Sequence, residues 1–451
     1  MAALPSPWSS ALPAPDTLAS AFHDTRLDNG LTVIVKADNR SPVAVSMVWY
    51  RVGSIDEVTG STGISHVLEH MMFKGTDRIG PGEFAERISR AGGRSNAFTS
   101  RDHTAYHQQL HSRDLELAFE LEADRMANLR MTEQEFAKEI RVVMEGRRQR
   151  IADSPQALVY EHLLATAFIA HPYRTPIIGW MNDLERLRLE DVQRWYEAWY
   201  VPQNATIVVV GDVEPQAVFA LARKHFGPMA SRLPPERTVP ADPEQFGIKR
   251  IEVQAPAELP YLAMAYRVPA LRDVNRDWEP YALSILSGVL DGHSAARLQR
   301  ELVRSARLAD SIGTSYDGYA RGPGLFYVSG TPAAGRTVEE LERGWRSQIE
   351  RLIQEGVGED ELRRVKAQVV SGYVFQQDSM FSQAAQIGRL HGVGLPYDAA
   401  DVIVARLQQV TAEQVREVAR KYLVDRNLTV AVLDPLPTAA TTAGHAGRAD
   451  R

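Results

Sequence analysis

A chain of 451 residues with 44% hydrophobic and 24% charged side chains has the composition of a soluble globular protein. At roughly 150 residues per domain, it is long enough for two or three cores. Lys and Arg number 51 against 57 Asp and Glu, a net charge of −6 that excludes the basic balance of a nucleic-acid binder or a polybasic membrane adaptor. No stretch approaches the roughly 18 apolar residues of a membrane-crossing helix, so no membrane insertion is expected. There is no cysteine, which excludes disulfides, thiolate metal sites and a cysteine nucleophile and leaves any metal to histidine and carboxylate. That absence fixes no compartment. The Pro- and Ala-rich opening ALPSPWSSALPAPD suits the mature end of an exported protein and so the periplasm, with the cytoplasm as the alternative.

In chain order, 1–20 reads as a flexible N-terminal segment, 21–228 as a first domain, 229–249 as a Pro-rich linker, 250–435 as a second domain and 436–451 as a flexible tail. TRLDNGLTVIVKAD predicts two strands about an Asn29-Gly30 turn, and VAVSMVWYRVGS an apolar strand after them. Helical periodicity covers 63–74, 82–91, 113–130 and 132–150, with strand-like SNAFTS and HTAYHQQL between the second and third. Paired strands followed by paired helices suit α+β better than repeated βαβ units. VQRWYEAWYVPQNATIVVV matches VREVARKYLVDRNLTVAVL in one register, Val192 with Val415, Asn204 with Asn427 and Thr206 with Thr429. This predicts two α/β domains of like fold, each a mainly antiparallel sheet packed with helices.

The chemistry concentrates in STGISHVLEHMMFKGT, residues 61–76, read as a helix with Ser61 and Thr62 at its N-cap and Gly75 after its end. His66, Glu69 and His70 then project from one face at i, i+3 and i+4. Two neutral imidazoles ligate Zn²⁺ well, and a nearby carboxylate that is not itself a ligand can take the proton from a water at the metal. Glu69 stands where that base is needed. The bland alternative is a surface helix with two histidines at ordinary spacing.

H-x-x-E-H followed by MMFKGT, AGGRSNAFTSRDHTAY, EFAKEIRVVMEGRRQRIADSPQAL, HPYRTPIIGWMNDLERL and WYVPQNATIVVVGDV resembles the inverzincin zinc metallopeptidases of pitrilysin and the mitochondrial processing peptidases. The resemblance runs over roughly 25–435 and is to the catalytic subunit of the bacterial small-subunit type. It implies a clam-shell of two like domains enclosing a chamber where peptides are cut, with zinc on His66 and His70 and Glu69 as catalytic base. It also implies that Asn96, Ala97, Phe98 and Thr99 form a sheet edge to which an extended peptide substrate adds. Phe98 and Tyr106 would serve a plain core strand equally well.

Two positions depart from the family pattern. The third zinc ligand is there a glutamate, and alignment puts Gly146 in its place. Glu145 is the nearest substitute, although one residue turns a helical side chain by about 100°. Glu139, a heptad before Gly146, matches a supporting glutamate and ranks second as ligand, and a two-histidine site third. Further on, in RLQRELVRSARLAD, Val303 and Asp310 replace an Arg and a Tyr that face the zinc in the family, with Arg304 and Tyr316 nearby. The implied partner is therefore a homologous subunit that carries the Arg/Tyr pair, in a heterodimer. A non-catalytic scaffold of the same fold is the alternative: Gly146 favours it, whereas the intact H-x-x-E-H favours an enzyme.

Overall fold

The structure, a computed structural model, describes residues 22–437. The expected flexible segment 1–20 lies outside the described residues, as does the expected tail apart from Leu436 and Pro437.

Strands β1 (Phe22–Arg26) and β2 (Thr32–Ala37) form an antiparallel hairpin, and β3 (Val43–Tyr50) follows. Gly30 takes φ +90° in the turn, and the Asn29 side-chain amide ties the turn down by donating to the Phe226 carbonyl at 2.8 Å. Next come α1 (Ile64–Met71), α2 (Glu83–Arg90), the hairpin β4 (Arg94–Thr99) and β5 (Thr104–His111), α3 (Leu115–Asn128), α4 (Glu133–Arg147) and α5 (Pro155–Ala167). Helical periodicity predicted one helix over 132–150, but the α-helix stops at Arg147 and Arg148–Ala152 winds into a π-helical turn. The short α6 (Met181–Leu184), α7 (Leu189–Trp199), β6 (Ala205–Gly211) and α8 (Pro215–His225) complete the first half. Its six strands lie in the order β1-β2-β6-β3-β5-β4. All residues of β6 are buried, as its unbroken apolar run requires of a strand covered on both faces.

The second half holds β7 (Lys249–Pro256), β8 (Tyr261–Val268), α9 (Glu279–Asp291), β9 (Ala309–Tyr316), β10 (Gly324–Pro332), α10 (Val338–Glu355), α11 (Glu359–Gln376), α12 (Met380–Val393), α13 (Ala400–Gln409), α14 (Ala412–Tyr422) and β11 (Leu428–Leu436). Its sheet order, β7-β11-β8-β10-β9, repeats that of the first from β2 onward. The closing strand of each half pairs parallel with one neighbour (β6 with β2, β11 with β7) and antiparallel with the other (β3 and β8). The matched segments at Val192 and Val415 are α7–β6 and α14–β11, and the architecture is the expected pair of mainly antiparallel sheets with helices.

One face of each sheet packs on its own helices. The other face is covered by a helix from the opposite half. Val159 and Leu163 of α5 lie against Val253, Ala255, Ala263, Ala265, Ala431 and Leu433 of the second sheet. Ala384 and Ile387 of α12 lie against Ile34, Val45, Met47, Trp49, Val208 and Val210 of the first. Gly388 permits that approach, because a Cβ there would collide with the Trp49 ring. The exchange fixes the halves to each other, aided by Asp56, whose buried carboxylate accepts from Arg321 at 2.8 Å and Arg237 at 3.2 Å.

Candidate functional site

The site starts with α1. Its N-terminus is held by Glu57, whose buried carboxylate accepts from the Gly63 N–H at 2.8 Å and the Ser65 N–H at 2.9 Å. Burial pushes the Glu57 carboxyl up to about 7 against the pull of those donors. The sequence placed Ser61 and Thr62 at this cap. Instead Gly63 is the N-cap at φ +85°, and the Thr62 hydroxyl donates to Asp183 at 2.6 Å, tying the cap to α6. The Gly63 backbone lies so close to Ile178 and Gly179 that no Cβ would fit.

His66, Glu69 and His70 share one face of α1 and line a cavity of about 750 Å³. The rings of His66 and His70 meet edge-on, with centroids 4.9 Å apart. Burial, then the neighbouring His70 and Arg150, lower the His66 pKa to about 3, so its imidazole is neutral over the working range. Glu69 is pushed up by burial, and its Oε2 accepts from the Thr99 hydroxyl at 2.5 Å. Thr99 belongs to β4, the edge strand, whose Asn96, Ala97 and Phe98 line the same cavity.

On α4, Glu139 faces the site. One of its oxygens lies 3.0 Å from His70 Nδ1 and the other 2.6 Å from Lys74 Nζ. Burial pushes the Glu139 carboxyl up, but those two bonds outweigh it and leave its pKa below the ordinary value. Glu145 is not brought to the histidines. Its side chain is 55% exposed and bonds along its own helix to Arg148 at 3.3 Å and Gln149 at 3.1 Å. The reason is the helical step: Glu139 and position 146 are seven residues apart and share a face, whereas Glu145 lies about 100° round. Arg147, next to Gly146, forms a buried bidentate pair with Glu161 at 2.7 and 2.8 Å.

These residues fit a metal in part. His66 Nδ1 is buried with no hydrogen-bond partner, and Glu139 holds the His70 ring through its Nδ1, the arrangement that orients an imidazole for ligation through its other nitrogen. Against that, no group of three or more His, Asp or Glu side chains comes together among the described residues in a way that could hold a metal ion. What the structure brings together is a pair of imidazoles with the Glu69 carboxylate, and Gly146 offers no side-chain donor.

In the second half, Val303 packs on the core and Asp310 is exposed at the start of β9. Neither nearby substitute is free. Arg304 donates to the Ser294 carbonyl at 2.6 Å, and the Tyr316 hydroxyl to the Pro269 carbonyl at 2.7 Å. Sequence reasoning missed Glu57, Lys74 and the bond from Thr99 to Glu69. Lys74 was findable, since it follows His70 by four residues on the same face; the other two depend on the tertiary fold.

Two like sheet-and-helix units, with a histidine pair and a carboxylate at a cavity beside an open sheet edge, have the clam-shell fold of the peptidase class. Residues 32–180 match the family described as Insulinase (Peptidase family M16), and residues 186–369 match Peptidase M16 inactive domain. The chain is 34% identical over 361 residues to "Zinc protease PqqE" of Helicobacter pylori, covering 78% of this chain and 79% of that one. A crystal structure of a protease from Helicobacter pylori superposes with a TM-score of 0.86 at 30% identity, over 92% of this chain and 99% of that one. The periplasmic protease PqqL from Escherichia coli shares the fold, with a TM-score of 0.78 at 18% identity, over 96% of this chain and 50% of that one. The protein belongs to peptidase family M16. No helix among its described residues is long and apolar enough to cross a membrane.

Proposed function

We propose that this chain is the zinc-bearing, catalytic subunit of a two-subunit endopeptidase that cuts peptides in an enclosed chamber. The observation that carries the reading is the joint position of Glu69 and two imidazoles on one helical face, at a cavity bounded by the free edge of β4. Zinc on His66 and His70 would supply Lewis acidity to a peptide carbonyl and to water at that point. Glu139 orients His70. Glu69, with Oε2 held by Thr99 and its pKa raised by burial, accepts a proton and returns it to the leaving amine. The main chain of Asn96, Ala97, Phe98 and Thr99 pairs with an extended peptide, which makes recognition tolerant of side-chain sequence.

An oxyanion needs donors, and neither the Val303 side chain nor the Asp310 carboxylate offers one. The Arg/Tyr pair therefore comes from a homologous partner subunit. This chain spans half of PqqL, which supports a pairing of two such units. PqqL is described as periplasmic, and the periplasm is the compartment we propose here, checked by cell fractionation.

The test is reconstitution. The chain mixed with a co-purifying homologue should hydrolyse peptides, a zinc chelator should abolish this, and Glu69→Gln should lower it by about 10²–10⁴. Undiminished turnover in Glu69→Gln would refute the role of Glu69. Gly146 favours a second reading, a non-catalytic scaffold, which predicts a stable complex with that homologue that neither binds zinc nor hydrolyses peptides.

A further inference from the structure

Taking from the peptidase reading only where a peptide lies, we propose that Arg101, Arg150 and Arg174 make the cavity beside Glu69 a carboxylate-binding subsite. It would select peptides with an acidic side chain or a free C-terminal carboxylate near the β4 edge.

The three guanidinium groups line this cavity, and none is paired with a carboxylate among the described residues. Arg101 donates to the Tyr160 hydroxyl at 3.3 Å and lies over the Tyr173 ring, 5.6 Å from its centroid, and Arg174 donates to the Ile169 carbonyl at 2.6 Å. Arg150, on the π-helical turn after α4, is exposed, and its charge is felt at both His66 and Glu69. Of the three carboxylates on the same wall, Glu139 is paired with Lys74 and His70 and Glu161 with Arg147, while Glu69 accepts only from the neutral Thr99 hydroxyl. Three guanidinium groups without a carboxylate partner therefore stand against one carboxylate without a cation partner, an excess of positive charge.

The shape agrees with the charge. Arg150 is exposed and lines a cavity of about 750 Å³, so a ligand's carboxylate has room to reach it. Arg101 lies two residues beyond Thr99, at the end of the strand a peptide would extend. Side chains of that peptide pass it at the ordinary strand rise of about 3.3 Å per residue. A guanidinium fork binds carboxylate bidentately and stays charged at all working pH values.

The test uses the full chain stripped of metal, at low salt, with peptide affinity read by calorimetry. Without metal there is no turnover, so failure of the peptidase reading leaves this result standing, and the reverse. Three peptides of one sequence are compared: a C-terminal amide containing Glu, the same amide with Gln, and the Gln peptide with a free C-terminal acid. At least one acidic form should bind about tenfold more tightly than the Gln amide, the worth of one charge-assisted contact, and the preference should shrink with salt. Which acidic form gains identifies the source of the carboxylate. Arg101→Gln, Arg150→Gln and Arg174→Gln should each reduce the preference. Equal affinities for the three peptides, absence of binding included, would overturn the proposal, as would full preference in all three variants.

Discussion

His66 and Glu139 would serve the proposed zinc centre by opposite means. Burial leaves His66 neutral with one nitrogen unpartnered, while the bonds from Lys74 and His70 hold the Glu139 pKa below its ordinary value in spite of burial. A carboxylate that holds an imidazole by Nδ1 typically changes metal affinity about 10–100-fold when removed. Glu139→Gln should therefore weaken zinc binding by that range, whereas Glu145→Gln, altering a solvent-facing pair with Arg148, should leave it unchanged. Gly146→Glu should tighten zinc and stabilise the helix by up to about 1 kcal/mol. Competition with a chromogenic chelator checks all three, and weakening by Glu145→Gln alone would return the third ligand to that residue. The spacing of His66, Glu69 and His70 was legible in the sequence because the helical period dictates a shared face. The same period argued against Glu145, and sequence proximity to Gly146 was a poorer guide than the heptad that links Gly146 to Glu139. The arginines were not legible as a group, since Arg101, Arg150 and Arg174 come to line one cavity only when three separate segments close on it.

At the scale of elements, the exchange of α5 and α12 between the sheets holds the site's walls in place, and it carries a pH dependence. His103, just before β5, is 6% exposed and lies 4.7 Å from Trp49, ring centroid to centroid, beneath α12. Burial, then the charges of Arg389 and Arg321, lower its pKa from 6.5 to about 3. Below pH 6.5 the unfolded chain takes up a proton that the folded chain refuses, so stability is lost from there down to about pH 3, where the fold also protonates. At about 1.36 kcal/mol per unit, His103 accounts for a loss of about 2 kcal/mol at pH 5. Denaturant unfolding at pH 7 and pH 5 should show wild type losing about that much more than His103→Gln. Equal losses would mean His103 is protonated without strain in the fold. Apolar alternation located the strands, and the repeat at Val192 and Val415 located the duplication. Neither could reveal which helix covers which sheet, because Val159 and Leu163 are a generic apolar stripe whose partner is chosen in three dimensions.

For the whole molecule, duplication has left unlike halves. The first keeps a helix with two imidazoles and a base at an open sheet edge. In the second, Val303 packs on the core and Asp310 is exposed, with Arg304 and Tyr316 bonded elsewhere. A homodimer repeats the deficit in each copy, which is why the account requires a different chain to supply donors. Everything in it rests on the first half holding metal through His66 and His70. Zinc titration of the purified chain, with stoichiometry read by elemental analysis, tests this most directly. The account predicts about one zinc per chain, lost in both His66→Ala and His70→Ala and retained in Glu69→Gln. A chain that takes up no zinc, or binds it undiminished after either histidine is removed, would contradict it.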